Sequence, residues 1–118
     1  MNKAILAIIA VLLALNTSSA LAASAGEELF KSAKCSNCHN TSEKKKVGPG
    51  LAGLMQRTNE VWVRAWLADS VAVWTANEAY TVTLKATMKK EASPKPSHKT
   101  RKLEASEIDA LVEFLKTL

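Results

Sequence analysis

The sequence predicts a small all-α domain. Apolar residues recur at helical spacing near the start, middle and end of the chain. Only Thr81-Val82-Thr83-Leu84 alternates in the manner of a strand, and it is short. At 118 residues, with no internal repeat and no low-complexity tract, the chain has room for one domain.

Gly26 to Lys34 reads as a short amphipathic helix, with Leu29, Phe30 and Ala33 at helical spacing. Asn40 to Val47 is polar, carries Lys44-Lys45-Lys46 and suits an exposed loop. Val47-Gly48-Pro49-Gly50-Leu51 is a tight turn, followed by a short helical stretch through Met55. Asn59 to Val71 is predicted as one helix, its apolar face supplied by Val61, Trp62, Ala65, Trp66 and Leu67. Val73 to Met88 is ambiguous between helix and strand. Lys89 to Lys102 is charged, contains Pro94 and Pro96, and reads as an extended loop. Glu104 to Leu118 is the clearest helix, with Ile108, Leu111, Val112 and Leu115 on one face. Its N-cap is weak, because Glu104 stands where Ser, Thr, Asp or Asn is preferred.

The first 22 residues have the pattern of a secretory signal peptide. Lys3 supplies the positive start, Ala4 to Leu15 is apolar and uncharged, and Ala20-Leu21-Ala22 offers small residues for cleavage. The apolar run is short for a membrane span of ~20 residues, so cleavage is favoured over a retained anchor. No cysteine lies near the cleavage site to carry a lipid. The expected mature domain is therefore 23–118. Loss of Lys3 leaves it 15 of the 16 basic residues against 11 acidic ones.

Cys35-Ser36-Asn37-Cys38-His39 is the motif that carries chemistry. C-x-x-C-H is the covalent attachment site of a c-type haem: two thiols add across the two vinyl groups, and the adjacent imidazole becomes the proximal iron ligand. A thioredoxin-like dithiol would want a βαβ context. A zinc site would need two more ligands, and the chain has no other cysteine. Export agrees with the haem reading, because covalent attachment takes place after translocation. One haem c is thus the expected cofactor. It also gives so short a chain a large apolar surface to collapse around, which a domain of this size lacks on its own.

With these residues in view, the mature chain resembles a class I bacterial cytochrome c along its whole length. Gly26 and Phe30 precede the haem motif as in that family's first helix, and Gly48-Pro49-Gly50-Leu51 resembles its G-P-x-L turn. Leu111-Val112-Glu113-Phe114-Leu115 resembles its aromatic C-terminal helix. The resemblance implies N- and C-terminal helices that cross, with Phe30 meeting Phe114 and Gly26 permitting close approach. It implies that the Pro49 carbonyl accepts a hydrogen bond from His39. Arg57 and Trp66 become candidates for haem-propionate contacts; the alternatives are a solvated surface charge for Arg57 and simple core packing for Trp66.

The sixth ligand departs from the family pattern. The family places a Met some five residues before the apolar residue leading into the last helix; here that apolar residue is Leu103, and His98 occupies the place of the Met. His98 is also the only histidine besides His39. Met88 is the alternative distal ligand, and Met55 a further methionine that could instead fill core space. Imidazole favours ferric iron where thioether sulfur favours ferrous, so His39/His98 ligation implies a low potential. Filling both axial positions with strong ligands argues against turnover of a small molecule, and no catalytic residues are assigned.

The expected function is a periplasmic one-electron carrier. Lys85, Lys89, Lys90, Lys95, Lys99, Arg101 and Lys102 would flank the distal side and steer acidic redox proteins, or simply form a solvated loop. Nucleic acid is not an expected partner of an exported haem protein, and the mature chain has no predicted membrane span. Two other readings remain: a haem-based gas-binding sensor, which needs a displaceable sixth ligand, and an electron-transfer subunit of a periplasmic oxidoreductase complex. An exposed Trp62 or Trp74 would mark the interface of such a subunit, although both also suit a core.

Overall fold

The computed structural model describes residues 19–118. Most of the expected leader (residues 1–18) lies outside the described residues, and 19–22 are helical and continuous with the first element. That element, α1, is helical over 19–32. A 3₁₀ turn at Cys35–Asn37 follows, then α2 (Leu54–Arg57), α3 (Glu60–Ala68), α4 (Ser70–Ala76), α5 (Ala79–Thr87) and α6 (Ala105–Leu115). Among the described residues there is no strand, and the fold is all-α.

The crossing of α1 and α6 sets the frame. Phe30 and Phe114 are both buried, and their rings meet with centroids 5.5 Å apart at 57°. Such a tilted arrangement is one that aromatic quadrupoles favour. Gly26 makes the crossing possible: a Cβ there would overlap the carbonyl of Ala110 and lie 2.7 Å from the Phe114 Cβ. Leu111 and Val112, 1% and 0% exposed, carry α6 into the centre of the core.

α3 packs against both α4 and α6. On the outer side of the α3–α6 contact, Lys116 bridges Glu60 at 3.0 Å and Glu113 at 2.9 Å, and Arg64 reaches both Glu60 and Asp109. These groups are partly exposed, so the pairs set register more than they add stability.

Four readings of the sequence are corrected or resolved. The single helix foreseen over Asn59 to Val71 is broken at Asp69, whose carboxylate accepts the Ala72 N–H at 3.0 Å and starts α4 as its N-cap. The ambiguous Thr81–Leu84 segment is helical, inside α5. Thr81 is fully buried, and its hydroxyl accepts the indole N–H of Trp62 at 3.0 Å, so a tertiary contact overrides its β-branched preference. Glu104 is a better start for α6 than its residue type suggests: its own N–H is satisfied by the Glu107 carboxylate at 2.8 Å, the reciprocal half of a capping box. Trp62 and Trp74 are both buried, so the exposed-interface reading gives way to the core reading.

Candidate haem site

Lys34, just past the end of α1, takes a left-handed conformation (φ 64°) and swings the chain into the Cys35–Asn37 turn. The Cys35 carbonyl accepts the N–H groups of both Cys38 (3.1 Å) and His39 (3.0 Å), which holds the five motif residues in one tight coil. Cys35 is half-buried against the core, and burial pushes its thiol above the usual range; Cys38 is exposed.

The loop after the motif is strapped beneath it. Gly48 N–H donates to the Cys38 carbonyl at 2.8 Å, Leu51 N–H to Asn40 at 3.0 Å, and the Lys46 ammonium to the Ser36 carbonyl at 2.9 Å. This brings the Pro49 carbonyl to 2.8 Å from His39 Nδ1. A carbonyl can only accept, so Nδ1 carries the proton and Nε2 keeps its lone pair for a metal. Gly48 lies flat against the same ring, where a Cβ would fall 2.6 Å from the His39 Cε1. In the sequence Gly48 reads only as part of a turn, because no spacing rule signals that the ring needs its missing side chain.

The loop between α5 and α6 brings His98 to the opposite side. The His39 and His98 ring centroids are 6.2 Å apart, at 51°. Two imidazoles bound to one metal through bonds of about 2.0–2.1 Å would have centroids about 6.3 Å apart, since each ring centre lies about 1.1 Å behind its nitrogen. The spacing fits a pair of axial ligands. Burial, and then the proximity of His39, hold the His98 pKa down to about 4, which keeps the ring neutral as a ligand must be. Its Nδ1 is buried and has no hydrogen-bond partner among the described residues. Among the described residues, no three His, Cys, Asp or Glu side chains gather as a metal site.

The His98 loop is tied down at both ends. Upstream, the Trp74 indole N–H donates to the Ser93 carbonyl at 2.9 Å. Downstream, Arg101 forks onto Glu107. Met88 sits at the C-cap of α5, its N–H on the Leu84 carbonyl at 2.9 Å, and Met55 packs on the core. It is the His98 ring that the structure brings to His39.

Arg57 and Trp66 are placed differently. The Arg57 guanidinium donates to the carbonyls of Ala52 (2.7 Å) and Gly50 (2.9 Å) and so braces the loop that carries Pro49. Trp66 lies with its ring 5.3 Å from His98, at 55°, and stacks on Trp62 at 5.0 Å and 15°. Proximity of Trp66 to His98 was invisible in the sequence, because the residues are joined only through the loop's path.

A family model, Cytochrome c, matches residues 23–118. The chain belongs to the cytochrome c family. This cytochrome c carries covalently bound haem c, for which Cys35, Cys38 and His39 form the attachment motif, and it is a haem-based electron-transfer protein. No curated protein and no solved structure is significantly similar to it. Among the described residues, no helix is long and apolar enough to cross a membrane.

Proposed function

We propose that this cytochrome is a periplasmic one-electron carrier of low potential, with His39 and His98 as axial ligands. The 6.2 Å separation of the two rings carries this reading. The bound haem supplies a one-electron ferric/ferrous couple. Cys35 and Cys38 hold it as thioethers, each thiol adding its sulfur and its hydrogen across one vinyl double bond. His39, with its Nδ1–H given to Pro49, presents a more basic Nε2, and this favours the ferric state. His98, as a second imidazole in place of a thioether, would favour it further. Arg57 and Trp66 have N–H groups beyond those used above, and these can donate to the propionates.

Lys89, Lys90, Lys95, Lys99 and Lys102 are exposed on the distal loop, where they would steer acidic redox proteins through brief encounters. Lys85 and Arg101 are engaged within the fold and contribute less to such a rim.

Low-temperature EPR with near-infrared absorption of the ferric protein tests the ligand pair. The expected result is a low-spin spectrum of bis-imidazole type. A sulfur-to-iron charge-transfer band would instead assign the sixth position to Met88 and return the protein to a higher-potential carrier.

One observation favours a second reading. The missing hydrogen bond at His98 Nδ1 leaves the distal imidazole without the partner that strengthens a ligand, as a gas-binding protein with a displaceable ligand would require. Rapid CO or NO binding to the reduced wild-type protein would select it.

A further inference from the structure

We infer that Trp66 is a positioning residue that fixes the plane of the His98 imidazole, so that the two facing rings are oriented by different physics. The inference rests on the reading of His98 as distal ligand.

The proximal ring has its orientation set by a hydrogen bond, Nδ1 to Pro49 at 2.8 Å, and by the flat contact with Gly48. Nothing equivalent holds the distal ring. His98 Nδ1 is buried without a partner, so no hydrogen bond there fixes rotation about the Cβ–ring bond. Among the aromatic rings of the described residues, two meet it: that of His39 and the Trp66 indole, 5.3 Å away at 55°.

An aromatic platform can fix an orientation only if it is itself fixed, and Trp66 is. It stacks on Trp62, whose ring meets Tyr80 edge-on at 4.7 Å and 89°. The Trp62 indole N–H is bonded to Thr81, a residue with no exposed surface. On another side, Trp66 meets Trp74 at 6.4 Å, and Trp74 is hydrogen-bonded to Ser93 in the His98 loop itself. Trp62 of α3 and Trp74 of α4 thus meet the Trp66 indole directly, Tyr80 and Thr81 of α5 hold Trp62 in turn, and Trp66 meets the ring of the distal histidine.

The consequence is an asymmetry between the two ligands. His39 gains basicity from its donor bond to a carbonyl, and its orientation survives small movements of the core. His98 has no such bond, so its hold on iron depends on the packing that keeps its ring in register.

The test uses the holoprotein with Trp66→Leu, Trp66→Met and Trp66→Phe. Two signals are read: the spread of ferric EPR g-values, which reports the angle between the imidazole planes, and the rate of CO binding after reduction. Leu and Met remove the flat face. They should shift and broaden the g-values and speed CO binding about tenfold, the lower end of what loss of a ligand's supporting partner costs. Phe keeps a smaller face and should show both effects in reduced form; it decides alone if the aliphatic variants do not fold. Wild-type g-values and CO rate in whichever variants fold would overturn the inference.

His98→Ala separates the two claims. A high-spin His98→Ala beside unchanged Trp66 variants defeats the role of Trp66 alone. A His98→Ala protein that stays low-spin with the wild-type spectrum removes the distal-ligand reading, and the inference with it.

Discussion

Arg101 and Glu107 form a two-point ion pair, with N–O distances of 2.6 and 2.9 Å, that ties the loop carrying His98 to the first turn of α6. The same carboxylate accepts the Glu104 N–H, so one side chain both starts the last helix and anchors the distal loop. Its charge is held by Arg101 first and by the backbone bond second.

That arrangement has a pH signature. Glu107 is pushed down from 4.5 to about 2. A carboxyl whose folded pKa is depressed contributes stability that is present above its unfolded value and is lost as pH falls toward its folded value. The contribution of Glu107 should therefore fade between about pH 4.5 and about pH 2. Melting temperatures measured across that window should fall less steeply for Glu107→Gln than for wild type. Parallel curves would show that the pair adds nothing in solution.

Phe114→Ala removes one half of the α1–α6 contact. Truncating a buried Phe costs about 3–5 kcal/mol, a large part of the 5–15 kcal/mol typical of a native domain. Denaturant unfolding of the holoprotein should show the midpoint drop accordingly, and an unchanged midpoint would mean that the aromatic pair is not part of the stabilising core.

Gly48→Ala places a methyl group against the His39 ring, and either the ring or the Pro49 strap must move. Overpacking of this kind costs about 1–3 kcal/mol. Weakening of the Nδ1–Pro49 bond makes the proximal nitrogen a poorer donor, so the reduction potential should rise. Redox titration checks it; a potential equal to wild type would show that the strap absorbs the methyl without disturbing the ring.

His98→Met exchanges nitrogen for thioether sulfur at the distal position. Soft sulfur stabilises ferrous iron, so the potential should increase, with a sulfur-to-iron band appearing in the ferric spectrum. If neither changes, His98 is a bystander.

The sequence made the attachment motif and the two terminal helices readable because both depend on local patterns, a fixed five-residue string and apolar residues at helical spacing in α1 and α6; that these helices cross was implied only by the family resemblance. Other features depended on what happened elsewhere in the chain. Asp69 looked like one more polar residue until its side chain capped α4. Thr81 looked like a strand residue, and only its hydrogen bond with Trp62, nineteen residues away, explains its place in a helix. At the site, the family's Met-loop pattern pointed to His98 five residues before Leu103, whereas its contact with Trp66 follows from the path of the 88–104 loop. Periodicity reports which face of a helix is inward and says nothing about which loop will cover it.

The Phe30–Phe114 contact joins two residues separated by nearly the whole described chain. Contacts so distant in sequence are slow to form, because the entropy of closing the intervening loop is spent before the contact offsets it. A chain emerging N-terminus first presents Cys35 and Cys38 early and its last helix at the end. Until α6 exists, α1 has nothing to cross, Cys35 is not yet packed against the finished core, and both thiols stay within reach of the machinery that joins them to haem. The order of residues along the chain thus leaves Cys35 unpacked until the final helix arrives, while Cys38 stays exposed even in the finished fold.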